Sequence, residues 1–130
     1  MPAILIADAS LTTREVFYWE LSQRSMQGIL ASNGTTALEL FAETLPDLVI
    51  ANIDLPGVNG FEVCRRIKAE KPEVPVILIA CRTGMHTNCL AYKVGASYYA
   101  NKFSLMEDLD VLLNRLLPDA VRQKTVLGEI

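Results

Sequence analysis

Short, continuous apolar runs alternate with longer mixed stretches along this chain of 130 residues. A continuous run is typical of a strand that is buried on both faces, whereas apolar residues three or four positions apart are typical of an amphipathic helix. The pattern predicts five strands, at residues 4–7, 28–31, 48–51, 76–80 and 96–101, and a helix after each of them.

Polar residues mark the predicted ends of several helices. Ser10 is a typical N-cap for the first helix, and the second helix is predicted from about residue 36. Ser104 and Glu107 have the spacing of a capping box, which predicts that the last helix begins there. Pro118 is expected to end that helix. The sequence therefore predicts one domain over residues 1–118 and a tail, or the start of a linker, over residues 119–130.

Five strands that alternate with five helices predict an α/β fold, a doubly wound five-stranded parallel sheet with helices on both faces. Right-handed crossovers favour this arrangement, and ligands of such sheets bind outside the carboxyl ends of the central strands. Functional side chains are therefore expected at the residues that end the predicted strands, which are Asp8, Asn52, Ala80 and Lys102.

Composition narrows the class of protein. Fifteen acidic and twelve basic residues give a net charge of −3, which argues against binding of nucleic acid. Hydrophobic residues make up 51% of the chain, which excludes a disordered protein, and no apolar run approaches the ~20 residues of a membrane helix. No secretory signal is apparent, and three cysteines without a Cys-x-x-Cys pair are typical of free thiols in a reducing cytosol. We expect a cytoplasmic domain without membrane contact.

Four segments carry a resemblance to a known family. Residues 4–10 run from the first strand through Asp8, and residues 46–63 run from the third strand through Pro56 and Gly57. Residues 74–80 hold the aliphatic fourth strand, and residues 95–103 hold the fifth strand and Lys102. In this order and spacing they resemble the receiver domain of bacterial two-component response regulators, the CheY-like superfamily, with its (βα)5 flavodoxin-like fold.

The resemblance implies a phosphorylation pocket from which this chain departs. In typical receivers two acids after the first strand help to hold Mg²⁺, and an aspartate that ends the third strand accepts a phosphoryl group from a histidine kinase. Asp8 matches the first acid, but Ala9 stands at the second position and Asn52 at that of the acceptor. An acyl phosphate requires a carboxylate nucleophile, and Mg²⁺ prefers carboxylate ligands. We expect neither the usual phosphorylation nor a specific Mg²⁺ site.

Two further positions of the pocket also differ. A threonine or serine that normally ends the fourth strand and contacts the phosphoryl group is replaced by Ala80. The family's lysine is retained as Lys102, but Phe103 replaces the proline that usually follows in a cis bond. A trans bond and a re-routed loop are expected, because a cis bond without proline costs about 3 kcal/mol. Asp8 is then expected to pair with Lys102, with Asn52 as a neutral hydrogen-bond partner.

Tyr99 aligns with an aromatic residue that, in many receivers, swings inward when the hydroxyl residue engages phosphate. Two interpretations stay open. A permanently inward Tyr99 would hold the surface of the fourth helix, fifth strand and fifth helix in one state without phosphorylation. Alternatively, Tyr99 is simply a half-buried aromatic residue of the fifth strand.

These departures predict a degenerate pseudo-receiver, a non-enzymatic module of phosphorelay signal transduction that works independently of phosphorylation. The expected partners are a homodimer mate, a histidine-kinase-like protein or an effector domain of a longer chain. They are expected to bind the face of the fourth helix, fifth strand and fifth helix, which includes Tyr99 and Phe103.

Two alternatives remain at this point. Asp54, two residues after Asn52, is a candidate displaced acceptor, which would make the chain a working phosphotransfer receiver with Mg²⁺. Ser10, Thr12 and Thr13 at a helix N-terminus could instead bind an anion, as in a small flavodoxin-like cofactor binder. That alternative lacks the glycine that would let the backbone approach a phosphate.

Overall fold

A computed structural model describes residues 1–117 of the chain. It contains ten elements in strict alternation: β1 Ala3–Ala7, α1 Leu11–Gln23, β2 Gln27–Ala31, α2 Gly34–Thr44, β3 Leu48–Asn52, α3 Gly60–Glu70, β4 Val76–Ala80, α4 Met85–Lys93, β5 Tyr98–Asn101 and α5 Lys102–Leu116. All pairings are parallel, and the strand order is β2-β1-β3-β4-β5. The predicted doubly wound five-stranded parallel sheet is therefore confirmed.

Alternate residues of each strand enter two separate cores, because successive side chains of a strand point to opposite faces. One core lies under α2, α3 and α4 and the other under α1 and α5. Tyr99 belongs to the first core, and Tyr98 packs against the second, because adjacent residues of a strand face opposite sides of the sheet. The three central strands β1, β3 and β4 are almost fully buried, which explains their continuous apolar runs.

The predicted start of the last helix is wrong. Helix α5 begins at Lys102 and follows β5 without a loop. Its N-cap is Asn101, whose Oδ1 accepts hydrogen bonds from the N–H groups of Phe103 (2.8 Å) and Ser104 (3.4 Å). Ser104 therefore lies in the first turn and is not the cap. The amide side chain of Asn101 satisfies the free N–H groups at the position where the chain leaves the sheet.

Two other boundaries differ from the prediction by a few residues. Helix α2 begins at Gly34, because the Asn33 side chain caps it by accepting from the Thr36 N–H. Strand β5 begins at Tyr98, two residues later than predicted. The predicted N-cap Ser10 is confirmed, since its hydroxyl accepts from the Thr13 N–H.

The predicted domain end at Pro118 and the tail over residues 119–130 lie outside the described residues. Within residues 1–117, no helix combines the length and the apolar character that crossing a membrane requires.

A close backbone approach fixes α3 at the end of β3. A Cβ atom on Gly60 would lie 2.2 Å from the carbonyl oxygen of Asn52. Only glycine fits this position, because the obstructing atom belongs to the backbone and cannot move aside. The first residue of α3 therefore packs directly against the carboxyl end of β3, where the candidate functional residue Asn52 lies.

Candidate functional site

The candidate site forms at the carboxyl edge of the sheet, where β1 and β3 lie side by side. Their register pairs Ala7 with Ala51, which sets Asp8 beside Asn52. Both side chains are nearly inaccessible, with 2% of Asp8 and 7% of Asn52 exposed. Lys102 follows β5 at the same edge and reaches this pair with its long side chain.

Asp8 is the centre of the hydrogen-bond network. Its Oδ2 accepts from the Asn52 Nδ2 at 3.0 Å and from the Lys102 ammonium at 3.2 Å. Its Oδ1 accepts from the backbone N–H of Ser10 at 2.8 Å. Both carboxylate oxygens are thus engaged by donors, and one of these donors carries the compensating positive charge.

Lys102 also binds a residue whose role here was not predicted from the sequence. Its ammonium donates to the Thr13 hydroxyl at 3.2 Å, in addition to Asp8. Thr13 lies one turn after the N-cap Ser10, so α1 supplies the second acceptor for the lysine. The position of Thr13 near a helix N-terminus suggested an anion ligand, whereas the structure pairs it with a cation. Its position three residues after the cap is the signal that places it at this edge.

The Asn52 carboxamide has both of its ends hydrogen-bonded. Nδ2 donates to Asp8, and Oδ1 accepts from the backbone N–H of Asp54 at 2.8 Å. Asp54 itself is exposed in the loop after β3. It therefore contributes its backbone N–H to the site, whereas its carboxylate lies at the surface.

Two other predicted positions are not brought into this network. Ala9 is exposed immediately after Asp8. Ala80 is buried in the core under α2, α3 and α4, together with Tyr99, on the opposite side of the sheet from the core of α1 and α5. The methyl group of Ala80 adds no polar atom to the pocket.

The two residues predicted for a switch surface lie in different environments. Tyr99 is 8% exposed, and its hydroxyl donates to the Thr87 hydroxyl on α4 at 2.8 Å. Phe103 is 71% exposed in the first turn of α5. The Lys102–Phe103 peptide bond is trans, as predicted. A re-routed loop was expected before the last helix. The structure has no loop there, because α5 begins directly after β5.

The residues of the pocket do not fit a magnesium ion. Mg²⁺ requires several oxygen ligands in near-octahedral geometry, but Asp8 is the pocket's one carboxylate and both its oxygens already accept hydrogen bonds. The Lys102 ammonium at 3.2 Å would repel a divalent cation. Within residues 1–117, no group of three histidine, cysteine, aspartate or glutamate side chains is arranged to hold a metal.

The strongest shifts of pKa lie away from this pocket. Burial raises the pKa of the Cys64 thiol to about 11, and this thiol donates weakly to the carbonyl of Val94. Hydrogen bonds from Arg65 and Arg66 lower the pKa of Glu62 to about 2 on the exposed side of α3. These groups stabilise α3 or its contacts and take no part in the site.

Comparison with known proteins identifies the family of this chain. The chain matches the response regulator receiver domain family over residues 4–114. It is 30% identical over 125 residues to the transcriptional regulatory protein AfsQ1 of Streptomyces coelicolor, covering 96% of this chain and 55% of that protein. The chain thus spans about half the length of the curated relatives it matches.

Solved structures give the same assignment. The response regulator TrrA of Thermotoga maritima, in complex with Mg²⁺ and BeF, is 29% identical with a TM-score of 0.81, covering 90% of this chain and all of that one. The chemotaxis protein CheY4 of Vibrio cholerae, at 23% identity, shares the fold with a TM-score of 0.83, covering 90% of this chain and 99% of that one. Because the family match spans residues 4–114 and a relative of 30% identity covers 96% of the chain, this chain belongs to the response regulator receiver domain family.

Proposed function

We propose that this receiver domain signals without phosphorylation at position 52 and without Mg²⁺, as a protein–protein interaction module of a two-component system. One observation carries the proposal. The Asn52 carboxamide and the Lys102 ammonium both donate to the same oxygen of Asp8. This network occupies the edge of the sheet where receivers usually concentrate free carboxylates.

The chemistry of Asn52 supports the same conclusion. An aspartyl phosphate forms when a carboxylate oxygen attacks phosphorus, but the amide oxygen of Asn52 is uncharged and accepts a hydrogen bond from Asp54. Asp8 retains a carboxylate, yet its oxygens are engaged and its charge is compensated by Lys102. A pocket that is neutralised by its own side chains requires no metal ion to offset repulsion between acids.

The alternative acceptor Asp54 has weaker support. Its side chain is exposed, and the contact that ties it to the pocket is made by its backbone N–H. An acceptor in this position would lack the nearby lysine and acids that assist transfer in the family, because Lys102 is held by Asp8 and Thr13.

Receiver domains interact with histidine kinases and effector domains in two-component systems. For this chain, we propose that a homodimer mate, a histidine-kinase-like protein or an effector domain binds the face formed by α4, β5 and α5. AfsQ1 is a transcriptional regulatory protein of about twice the matched length, which supports an effector domain as one such partner. An inward Tyr99, together with the exposed Phe103, would present this face in one state without phosphorylation.

The proposal is tested by intact mass spectrometry after incubation with acetyl phosphate and Mg²⁺. We expect the unmodified mass, whereas a receiver with an acceptor aspartate, treated in parallel, gains one phosphoryl group. The Asp54→Ala variant serves as a second control. A stoichiometric, hydroxylamine-labile adduct on the wild-type chain would overturn the proposal. If that adduct disappears in Asp54→Ala, the displaced-acceptor function is correct instead.

A further inference from the structure

Helix α4 has unusually few buried side chains. Ala91 is its one buried residue, whereas α3 and α5 each bury four. Three exposed residues, Met85, Cys89 and Tyr92, follow one another at i, i+4 and i+7 and therefore share the outer side of the helix. The orientation of that outer side depends on the few contacts that α4 makes with the rest of the domain.

One of those contacts is made by the Thr87 hydroxyl. All hydrogen-bonding positions of this hydroxyl are occupied. It accepts from the Gly84 N–H at 3.2 Å and donates to the Gly84 carbonyl at 3.1 Å, within the first turn of α4. It also accepts from the Tyr99 hydroxyl at 2.8 Å. A hydroxyl offers one donor and two acceptor positions, so this set uses every one.

The hydrogen bond between Tyr99 and Thr87 joins the edge strand β5 to α4. Strand β5 lies at the edge of the sheet, paired with β4 alone. The Tyr99 ring is buried in the core under α2, α3 and α4, so its hydroxyl marks a defined point of the sheet. The polar tip of Tyr99 is satisfied by the Thr87 hydroxyl of α4.

We propose that Thr87 is the positioning residue of α4, and that its bond with Tyr99 fixes the first turn of α4 against β5. This deepens the proposed function and rests on it, since α4 belongs to the face that we propose for partners. The orientation of the Met85–Cys89–Tyr92 side then depends on two hydroxyl groups of the chain and on no phosphoryl group.

Amide hydrogen exchange of the isolated domain tests this positioning role. Tyr99→Phe removes the bond and leaves the Thr87–Gly84 contacts in place, and Thr87→Val removes both. Loss of one such hydrogen bond corresponds to about 5-fold faster exchange in α4. We expect this increase in Tyr99→Phe and a larger one in Thr87→Val, which also loses the Gly84 contacts, with the double variant no faster than Thr87→Val alone. Thr87→Ser keeps the hydroxyl and is expected to exchange like the wild type.

Tyr98→Phe is the matched control, because Tyr98 is the neighbouring tyrosine on the opposite face of β5. Exchange in β1 and β3 serves as the internal reference in every variant. Unchanged α4 exchange in Tyr99→Phe would overturn the proposal, and so would increases that add in the double variant. An equal increase in α4, β1 and β3 would also overturn it, because the bond would then act on global stability.

The outcome is independent of the test of phosphorylation. Exchange is measured without a partner or a phosphodonor. An acetyl phosphate adduct would therefore contradict the proposed function but would not affect the result for the contact between Thr87 and Tyr99. Conversely, unchanged exchange in Tyr99→Phe would remove the positioning role alone.

Discussion

At the scale of single residues, the pocket depends on the Asp8 carboxylate. This group is buried, accepts three hydrogen bonds and compensates the charge of Lys102, whose side chain is only 10% exposed. Removing one partner of such a pair leaves the other charge desolvated and without compensation, which costs far more than losing a pair at the surface.

The substitution Asp8→Ala is therefore expected to lower the free energy of unfolding by about 3 kcal/mol. Urea denaturation followed by circular dichroism measures this change. Asp54→Ala is the matched control, since an exposed aspartate nearby should change stability by less than about 0.5 kcal/mol. Equal effects of the two substitutions would contradict the role assigned to Asp8.

Cys64 provides a second prediction at the residue scale, about reactivity. Its thiol is buried and has a pKa of about 11, whereas Cys81 and Cys89 are exposed. Because the thiolate is the reactive form, iodoacetamide at pH 8 should modify two cysteines of the folded protein and three of the unfolded protein. Peptide mass spectrometry identifies them. Rapid modification of Cys64 in the folded state would contradict its burial.

The same pKa predicts how stability depends on pH. The unfolded Cys64 thiol ionises near 9.0 and the folded one near 11, so the unfolded state loses this proton first as the pH rises. The contribution of the protonated Cys64 thiol to the free energy of unfolding is fully present below pH 9 and is lost between pH 9 and 11. The urea midpoint should fall more over this interval in the wild type than in Cys64→Ala, which lacks the thiol. Parallel decreases in the two proteins would contradict the shift.

At the scale of the elements, the start of α5 is set by Asn101 and not by the predicted cap Ser104. Asn101 caps the helix through its side-chain oxygen, and its Nδ2 also donates to the carbonyl of Cys81 at 2.7 Å. We expect Asn101→Ala to lower the free energy of unfolding by about 1 kcal/mol or more. Ser104→Ala should have a much smaller effect. A larger effect of Ser104→Ala in urea denaturation would support the capping box at Ser104 instead.

The strands could be predicted from the sequence more accurately than the beginnings of the helices. A strand buried on both faces requires a continuous apolar run, so β1, β3 and β4 were evident. Asn101 and Ser104 are both acceptable caps, and the chain's direct passage from β5 to α5 decides between them. The direct connection between β5 and α5 depends on how the domain packs, and local sequence patterns carry no information about it.

Some contacts of the site could be predicted from the sequence and others could not. The pairing of Asp8 with Asn52 and Lys102 was expected because all three follow or end strands at the same edge of the sheet, and because the resemblance to receivers implies a lysine after the fifth strand. The bond from Lys102 to Thr13 and that from Tyr99 to Thr87 join residues that are distant in sequence or on different elements. They depend on side-chain reach and helix orientation, for which the sequence carries no local signal.

At the scale of the whole molecule, the distribution of charge matters more than its sum. The chain carries a net charge of −3, yet at the sheet edge one carboxylate faces one ammonium, and the neutral carboxamide of Asn52 donates to the same carboxylate. The acidic excess lies elsewhere in the chain. We infer that this pocket is neutralised by its own side chains.

A Mg²⁺ titration followed by NMR tests whether the pocket is neutralised in this way. The backbone N–H groups of Ser10 and Asp54 donate to Asp8 and Asn52, so their signals report on the pocket itself. We predict that neither signal shows a saturable shift up to about 10 mM Mg²⁺, since the pocket's one carboxylate is already engaged. A saturable shift confined to Ser10 and Asp54 at low millimolar Mg²⁺ would contradict the claim.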